Sequence, residues 1–494
     1  MLAAAIVVLG LAGLVSYSLF TGSLLSNIPG PAITAFTDVW ILINTYFERR
    51  NRLIHELHQK YGPLVRLSPH EVSVSDPSSI KHIYINNFDK SKFYFLFDNY
   101  GVTNAFSAIE KKAHAPKRRV MHQLYSKAAV SAPGVEECIR ERLDRAAYYF
   151  EQSHKENKAI DILQLFRSIA MDVVTAFQFG ADHGTDFIRN PLERDLILGK
   201  YRVQTRSWFI GPYLPSLAKY VLPKAFVESL MFTDQWNLDN MQRSGFPPDS
   251  AAKKLIDGGF SEMEAASEIA DHVVAGHETT AVALTYLCWH LAKHPEIQER
   301  LKAEIRAASG PSDRQSPSSV LPAFKDLDRL PYLAAVLQET LRLYAPIPAS
   351  EPRVVPPSGM WYSPSPSEYE SNRSRYFIPG GVVISVQPWT LHRDPSVFPD
   401  PETFDPERWI KSDSESLHKM NKSFMTFGAG IRMCVGMNLA MEDLKFITAF
   451  IFSKYTVKLG AETTDDSMYM IDRYSTRPKA NACYIEFEEH SILY

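Results

Sequence analysis

Phe427-Gly428-Ala429-Gly430-Ile431-Arg432-Met433-Cys434-Val435-Gly436 carries more chemistry than any other stretch of this chain. Glycines at 428, 430 and 436 let the backbone pass close to a flat ligand and take turns that a side chain would forbid. Arg432 offers a fixed charge suited to a carboxylate. Cys434 stands just before the apolar run Leu439 to Phe452, which reads as a helix. A helix N-terminus stabilises anions, and the thiolate is the form of cysteine that binds metal.

The pattern F-x-x-G-x-R-x-C-x-G resembles the haem-binding loop of the cytochrome P-450 family, in which the cysteine thiolate is the fifth ligand of haem iron. The resemblance implies that Cys434 is the axial ligand of haem b, within a loop marked by Phe427, Gly428 and Gly436. It also implies that Arg432 pairs with a propionate. A thiolate ligand pushes electron density onto iron and favours O–O cleavage.

Three further motifs follow the family in the right order. Ala275-Gly276-His277-Glu278-Thr279-Thr280 resembles the family's [AG]-G-x-[DE]-T-[TS], found in the helix that crosses the distal haem face. Gly276 removes a side chain and is expected to open room beside the helix. The Thr279 hydroxyl can bond its own backbone and locally widen the helix. Together Glu278 and Thr279 form the acid–alcohol pair that proton delivery to dioxygen requires. His277 reads as a packed or solvated histidine rather than a ligand.

Glu339 and Arg342 lie at i and i+3 on one helix face, within a stretch similar to the family's K helix. With Arg408 they would form a buried Glu-Arg-Arg network that locks the cysteine loop. In His114-Ala115-Pro116-Lys117-Arg118 a histidine replaces the family's usual Trp, and both rings carry an N–H able to reach a propionate. The resemblance assigns propionates to Arg118, His114 and Arg353. A Pro/Ser/Tyr insertion, Pro356 to Phe377, departs from the family's tight strand connection.

Composition excludes several other classes. The 494 residues carry a net charge of -3, which points away from nucleic acid, and 45% are apolar, enough for a large core. Cys138, Cys288, Cys434 and Cys483 form no C-x-x-C pair, so neither a zinc site nor a disulfide framework is expected. His55-Glu56-Leu57-His58 has the wrong spacing for a zinc protease, and Met433 stands where a dinucleotide fingerprint needs its third glycine.

Met1 to Thr37 has no charged side chain, and Leu2 to Phe20 is almost wholly apolar. Nineteen helical residues rise about 28 Å, one hydrocarbon thickness. The start lacks the basic residues of a cleaved signal, and Arg49, Arg50 and Arg52 follow the span, so the main body is expected in the cytosol. The expected organisation is an N-terminal transmembrane anchor (1–20), a Pro/Gly hinge (21–35) and a catalytic domain (36–494). The sequons at Asn372 and Asn421 would then face the wrong compartment for glycosylation.

Local patterns complete the fold. Leu64, Val65 and Leu67, then Val72 and Val74, read as a short β region. A possible capping box, Ser261 with Glu264, opens a helix that Pro295 stops. Ala307 to Pro322 reads as a surface loop. The fold class is mainly α with a small β region.

The resemblance implies an endoplasmic reticulum monooxygenase of the kind found in filamentous fungi, many of them in secondary-metabolite pathways. NADPH electrons would arrive through NADPH–cytochrome P-450 reductase, with cytochrome b5 as a second candidate donor. The run Lys111, Lys112, Lys117, Arg119 and Lys127 would be the docking face. Membrane lipid and an apolar small molecule are the other expected partners. Aromatic stretches (Phe88 to Phe106; Trp208 to Phe226), with Val274, Ala275, Ile347, Ala349 and the Met468–Ser475 turn, suit a bulky substrate such as a terpenoid, polyketide or alkaloid. Phe93 and Phe106 are expected as ordinary core. The alternatives are a haem-thiolate isomerase or peroxide-rearranging enzyme that needs no reductase, and a non-catalytic membrane haem-binding protein.

Overall fold

The computed structural model describes residues 24–489 apart from 87, 204, 211–214, 244, 310–316, 320 and 365–374. The expected anchor at 1–20 and the sequon at Asn372 lie outside the described residues. Among the described residues one helix, Ile162–Phe179, is long and apolar enough to cross a membrane, and 89% of it is buried inside the protein.

The elements that place the site are, in chain order, α1 (Val39–Tyr46), α2 (Arg50–Tyr61), β1 (Leu64–Ser68), β2 (Glu71–Val74), α3 (Lys111–Leu124), β3 (Ile160–Asp161) and α4 (Ile162–Phe179). They continue with α5 (Glu262–Lys293), α6 (Pro295–Ala308), α7 (Pro331–Leu343), β4 (Arg353–Val354), β5 (Met360–Tyr362) and β6 (Tyr376–Ile378). The chain closes with β7 (Val383–Ser385), α8 (Met437–Lys454), β8 (Tyr455–Leu459) and β9 (Tyr484–Glu489).

Helix α5 begins at the reciprocal capping box of Ser261 and Glu264 and ends at His294, before Pro295. Its 32 residues extend about 48 Å, so it forms the axis of the helical body. Gly276 lies where α4 meets it: an added Cβ would stand 2.7 Å from Val174 Cγ2. The missing side chain therefore serves close helix packing, not an opening beside the helix. Around this contact the core gathers Met171, Phe179, Ile269 and Val273, and a larger cluster holds Phe166, Tyr286, Phe446 and Phe450.

A four-stranded sheet runs β1-β2-β7-β4, with β1 antiparallel to β2 and β2 parallel to β7. All five residues of β1 are buried. Val65 and Leu67 pack with Ile54 and Leu57 of α2, whereas Leu64 joins Val72 and Val74 on the other side. The second sheet orders β3-β9-β8.

The Pro/Gly segment is fastened to β1. Buried Arg66 donates to the carbonyls of Leu25 (2.9 Å) and Ile28 (3.2 Å), and its backbone N–H donates to that of Pro29 (2.7 Å). A Cβ on Gly30 would meet the Arg66 carbonyl at 2.6 Å. The insertion at 356–377 is framed by paired strands: Met360, Trp361 and Tyr362 of β5 face Ile378, Phe377 and Tyr376 of β6. Helix α6 extends to Ala308, past the expected start of the Ser/Pro loop.

Candidate active site

The cysteine loop turns on two of its three glycines. Gly428 and Gly430 have φ of 71° and 68°, and a Cβ on Gly430 would lie 2.3 Å from the Tyr84 carbonyl. Gly436 has φ of -83° and serves as the N-cap of α8, so the expected forbidden turn is not there. The Cys434 N–H donates to the Phe427 carbonyl at 2.8 Å, closing the loop across its width.

Cys434 is exposed to an internal space. Burial from bulk water pushes its thiol up, and this outweighs the Gly436 N–H and the charge of Arg118, which act the other way. The helix terminus alone does not secure a thiolate here; a bound metal cation would.

Four cations converge beside the loop. Lys90, Arg118, Arg353 and Arg432 all act on His114, and with burial as the larger cause they push its imidazole down to about 3. Arg118 donates to the Met433 carbonyl (2.9 Å), and Arg432 to those of Ala108 (2.5 Å) and Ile109 (2.9 Å). Arg353 donates to the Tyr94 hydroxyl at 3.0 Å. His114 Nδ1, Arg353 Nε and Arg432 Nε are buried without hydrogen-bond partners among the described residues. Glu351, half-buried, has its carboxylate 3.7 Å from Arg353. Lys90, absent from the sequence reading, donates to the Phe106 carbonyl at 2.5 Å, and burial holds its amine well below the ordinary lysine range.

Helix α5 leaves its middle uncovered. Val274 is 48% exposed and Ala275 is exposed too, between buried stretches on either side. Thr279 Oγ1 donates to the Ala275 carbonyl at 2.8 Å, and the helix stays α-helical through it rather than widening. Glu278 is directed elsewhere. Arg167 of α4 holds it by two hydrogen bonds (2.7 and 2.5 Å) and also donates to Asn481 Oδ1 at 3.0 Å. Burial would push the Glu278 carboxyl up, but the Arg167 charge and hydrogen bonds prevail and hold it below the usual range. The acid and alcohol expected to act as a pair are thus anchored separately. His277 is packed, with Nδ1 2.7 Å from the Val273 carbonyl.

Glu339 accepts from Arg342 (2.8 Å to each oxygen), Arg408 Nε (3.1 Å), Trp409 Nε1 (2.9 Å) and the Asp405 N–H (2.9 Å). The link to the cysteine loop passes through a residue that the sequence did not single out. His392 Nδ1 sits 2.9 Å from the Arg342 carbonyl, and Nε2 accepts from the Met425 N–H at 2.9 Å. Burial and Arg342 push this imidazole down to about 3, so it is neutral, as the two roles demand.

A cavity of about 350 Å³ carries Phe93, Trp208, Phe209 and Tyr474 with Ala349 on its wall, and charged Arg50, Glu71, Lys92 and Asp472 as well; of the expected pocket residues, Val274, Ala275 and Ile347 do not line it. Ile347 is half-buried. Phe93 and Phe106 are half-buried as well, and Tyr94 takes the core position. Met468 and Met470 belong to the core instead of the pocket, to which their turn contributes Asp472, Arg473 and Tyr474. Trp208 contacts Phe93 with ring centres 6.0 Å apart; Tyr213 and Leu214 lie outside the described residues.

The basic run divides. Lys111, Lys112 and Arg119 are exposed, whereas Lys117 lies 3.7 Å from Glu264 and 3.6 Å from Glu268. Lys127 pairs with Asp328. Neither of the last two is a free docking charge.

These residues fit haem b. A cysteine facing an internal space, glycines that keep the loop close to it, surplus positive charge and unpartnered buried donors match a flat, dianionic iron ligand. The cytochrome P450 family profile, written here cytochrome P-450, matches residues 29–481. Cytochrome P-450 monooxygenase tazI of Aspergillus terreus is 32% identical over 499 residues, covering 95% of each chain. Its namesakes aflV of Aspergillus parasiticus and stcB of Emericella nidulans are 29% and 26% identical, covering 94% and 93% of this chain and 91% and 88% of their own. The chain belongs to the cytochrome P-450 family and is a haem b-dependent monooxygenase.

Proposed function

We propose that this enzyme oxidises a bulky, largely apolar small molecule, by hydroxylation or epoxidation, in a fungal secondary-metabolite pathway. The observation that carries this reading is the aromatic cluster of Phe93, Phe97, Phe106, Trp208 and Tyr474, which reaches the wall of the cavity at Phe93, Trp208 and Tyr474. Apolar pockets gain affinity from area removed from water. Terpenoid-, polyketide- or alkaloid-like compounds suit it; a small hydrophilic acid does not.

When bound, haem b supplies the redox iron that activates dioxygen with electrons originating from NADPH. This chain's residues do the rest. Cys434 would ligate the iron, and the Glu339–Arg342–Arg408 network would hold its loop still. Arg118, Arg353, Arg432 and His114 take the propionates, with Phe427, Gly428 and Gly436 shaping the seat. The Thr279 hydroxyl, once released from the Ala275 carbonyl, would move a proton on the face of α5 open at Val274 and Ala275, and Glu278 would take part only when Arg167 lets go. Val274, Ala275, Ile347 and Ala349 bound the substrate.

We place the enzyme on the endoplasmic reticulum membrane with its catalytic domain in the cytosol, served by NADPH–cytochrome P-450 reductase and cytochrome b5. Val39, Ile43, Tyr46 and Phe47 form an exposed apolar stripe on α1, and Leu24, Ile33, Tyr220 and Val221 are exposed as well. Such surfaces suit a lipid interface.

Titration of terpenoid, polyketide and alkaloid panels against the haem spin-state spectrum tests the reading. Bulky apolar members are expected to shift it. A response confined to small hydrophilic acids would refute the apolar pocket.

A further inference from the structure

Asp271 lies on α5 one turn before Ala275 and two turns before Thr279. At about 3.6 residues per turn the three share the helix face that is exposed at Val274 and Ala275. Its carboxylate is half-buried, and among the described residues no hydrogen bond or ion pair reaches it. Its charge is felt at the Cys434 sulfur and the Tyr474 hydroxyl, so it faces the space between the cysteine loop and the cavity wall.

That wall is aromatic. Tyr474 packs against Phe93 (5.1 Å between ring centres) and Phe97 (5.5 Å), and Phe97 against Phe106 (4.9 Å). A carboxylate whose charge reaches an aromatic cluster is suited to an alkylammonium, which gains a charged partner and cation–π attraction together.

Among the described residues no cation forms an ion pair or hydrogen bond with Asp271, although the charge of Lys90 reaches it. Lys90 is committed to the Phe106 carbonyl at 2.5 Å and lies over the rings of Tyr94 (4.0 Å) and Phe106 (4.1 Å). The neighbouring acid, Glu268, is satisfied by the Ala105 N–H (2.8 and 3.0 Å) and Lys117 (3.6 Å). Left alone, Asp271 is pushed up to about 7 by burial and Glu268, against Lys90. A bound cation would reverse that shift.

We propose that Asp271 selects substrates bearing a protonated basic nitrogen, holding it against the aromatic wall while the apolar body reaches toward Ala275. This deepens the pocket reading above and rests on it. The nitrogen would sit about 12 Å along the helix axis from Thr279.

The test uses full-length holoenzyme with its ferrous iron capped by carbon monoxide, so that nitrogen ligation to iron cannot contribute. Calorimetry compares N,N-dimethyldodecylamine with the neutral amide N,N-dimethyldodecanamide at pH 7. The amine is expected to bind at least tenfold more tightly. Asp271→Asn should abolish that preference by weakening the amine alone. Equal affinities in the wild-type protein would overturn the inference even if the variant failed to fold, as would a preference that survived in Asp271→Asn. Loss of the thiolate-type Soret band would instead refute the haem-thiolate site. Binding of neither probe to protein that keeps the band would refute the apolar pocket, and the inference with it.

Discussion

Arg167 grips Glu278 with two parallel hydrogen bonds, Nε to Oε2 at 2.7 Å and Nη2 to Oε1 at 2.5 Å. The acid next to Thr279 in sequence is thereby committed to α4, and proton delivery must begin from Thr279 unless this pair opens.

Replacing Arg167 by Gln leaves a partly buried carboxylate without its cation, at a cost of about 3 kcal/mol. The Glu278 pKa is lowered on folding, so the pair stabilises fully above the unfolded Glu value of about 4.3, and that stability is lost as pH falls through the folded value. The stability gap between wild type and Arg167→Gln, measured by urea denaturation, should be full at pH 7 and shrink as the pH falls below the unfolded Glu value of about 4.3.

Cys434→Ala should abolish the red-shifted Soret band of the reduced carbon monoxide adduct. Thr279→Ala should keep that band and accept electrons, yet divert them to hydrogen peroxide. Unchanged coupling of NADPH to product would show that Thr279 carries no proton.

His392→Phe removes the acceptor of the Met425 N–H, which lies just before the cysteine loop. An unsatisfied buried donor costs about 1–3 kcal/mol. Thermal unfolding should register that loss, and haem retention on gel filtration should fall with it. Normal retention would mean that the loop does not depend on this link.

Gly430→Ala places a Cβ 2.3 Å from the Tyr84 carbonyl at a φ of 68°. Backbone must move, so haem incorporation should drop sharply and Tm should fall.

Docking of the reductase should depend on Lys112 and Arg119. Charge reversal at either is expected to slow association several-fold at low salt, with the effect shrinking as salt is added. Lys117→Glu should instead lower stability, because Lys117 faces Glu264 and Glu268.

The cysteine loop, the capping box at Ser261 and the Glu339–Arg342 pair were legible because each is local: the chemistry lies within ten residues, and helix geometry does the placing. So was the mainly helical class, from the apolar periodicity of long segments. What the sequence could not determine is which distant group satisfies each buried polar atom. Gly276 meets Val174, Arg167 captures Glu278, Arg66 clamps the Pro/Gly segment, His392 joins the network to the loop, and Asp271 is left with none of the described residues. Those outcomes depend on the packing of segments tens to hundreds of residues apart, because a buried charge takes whichever partner the tertiary fold brings within reach.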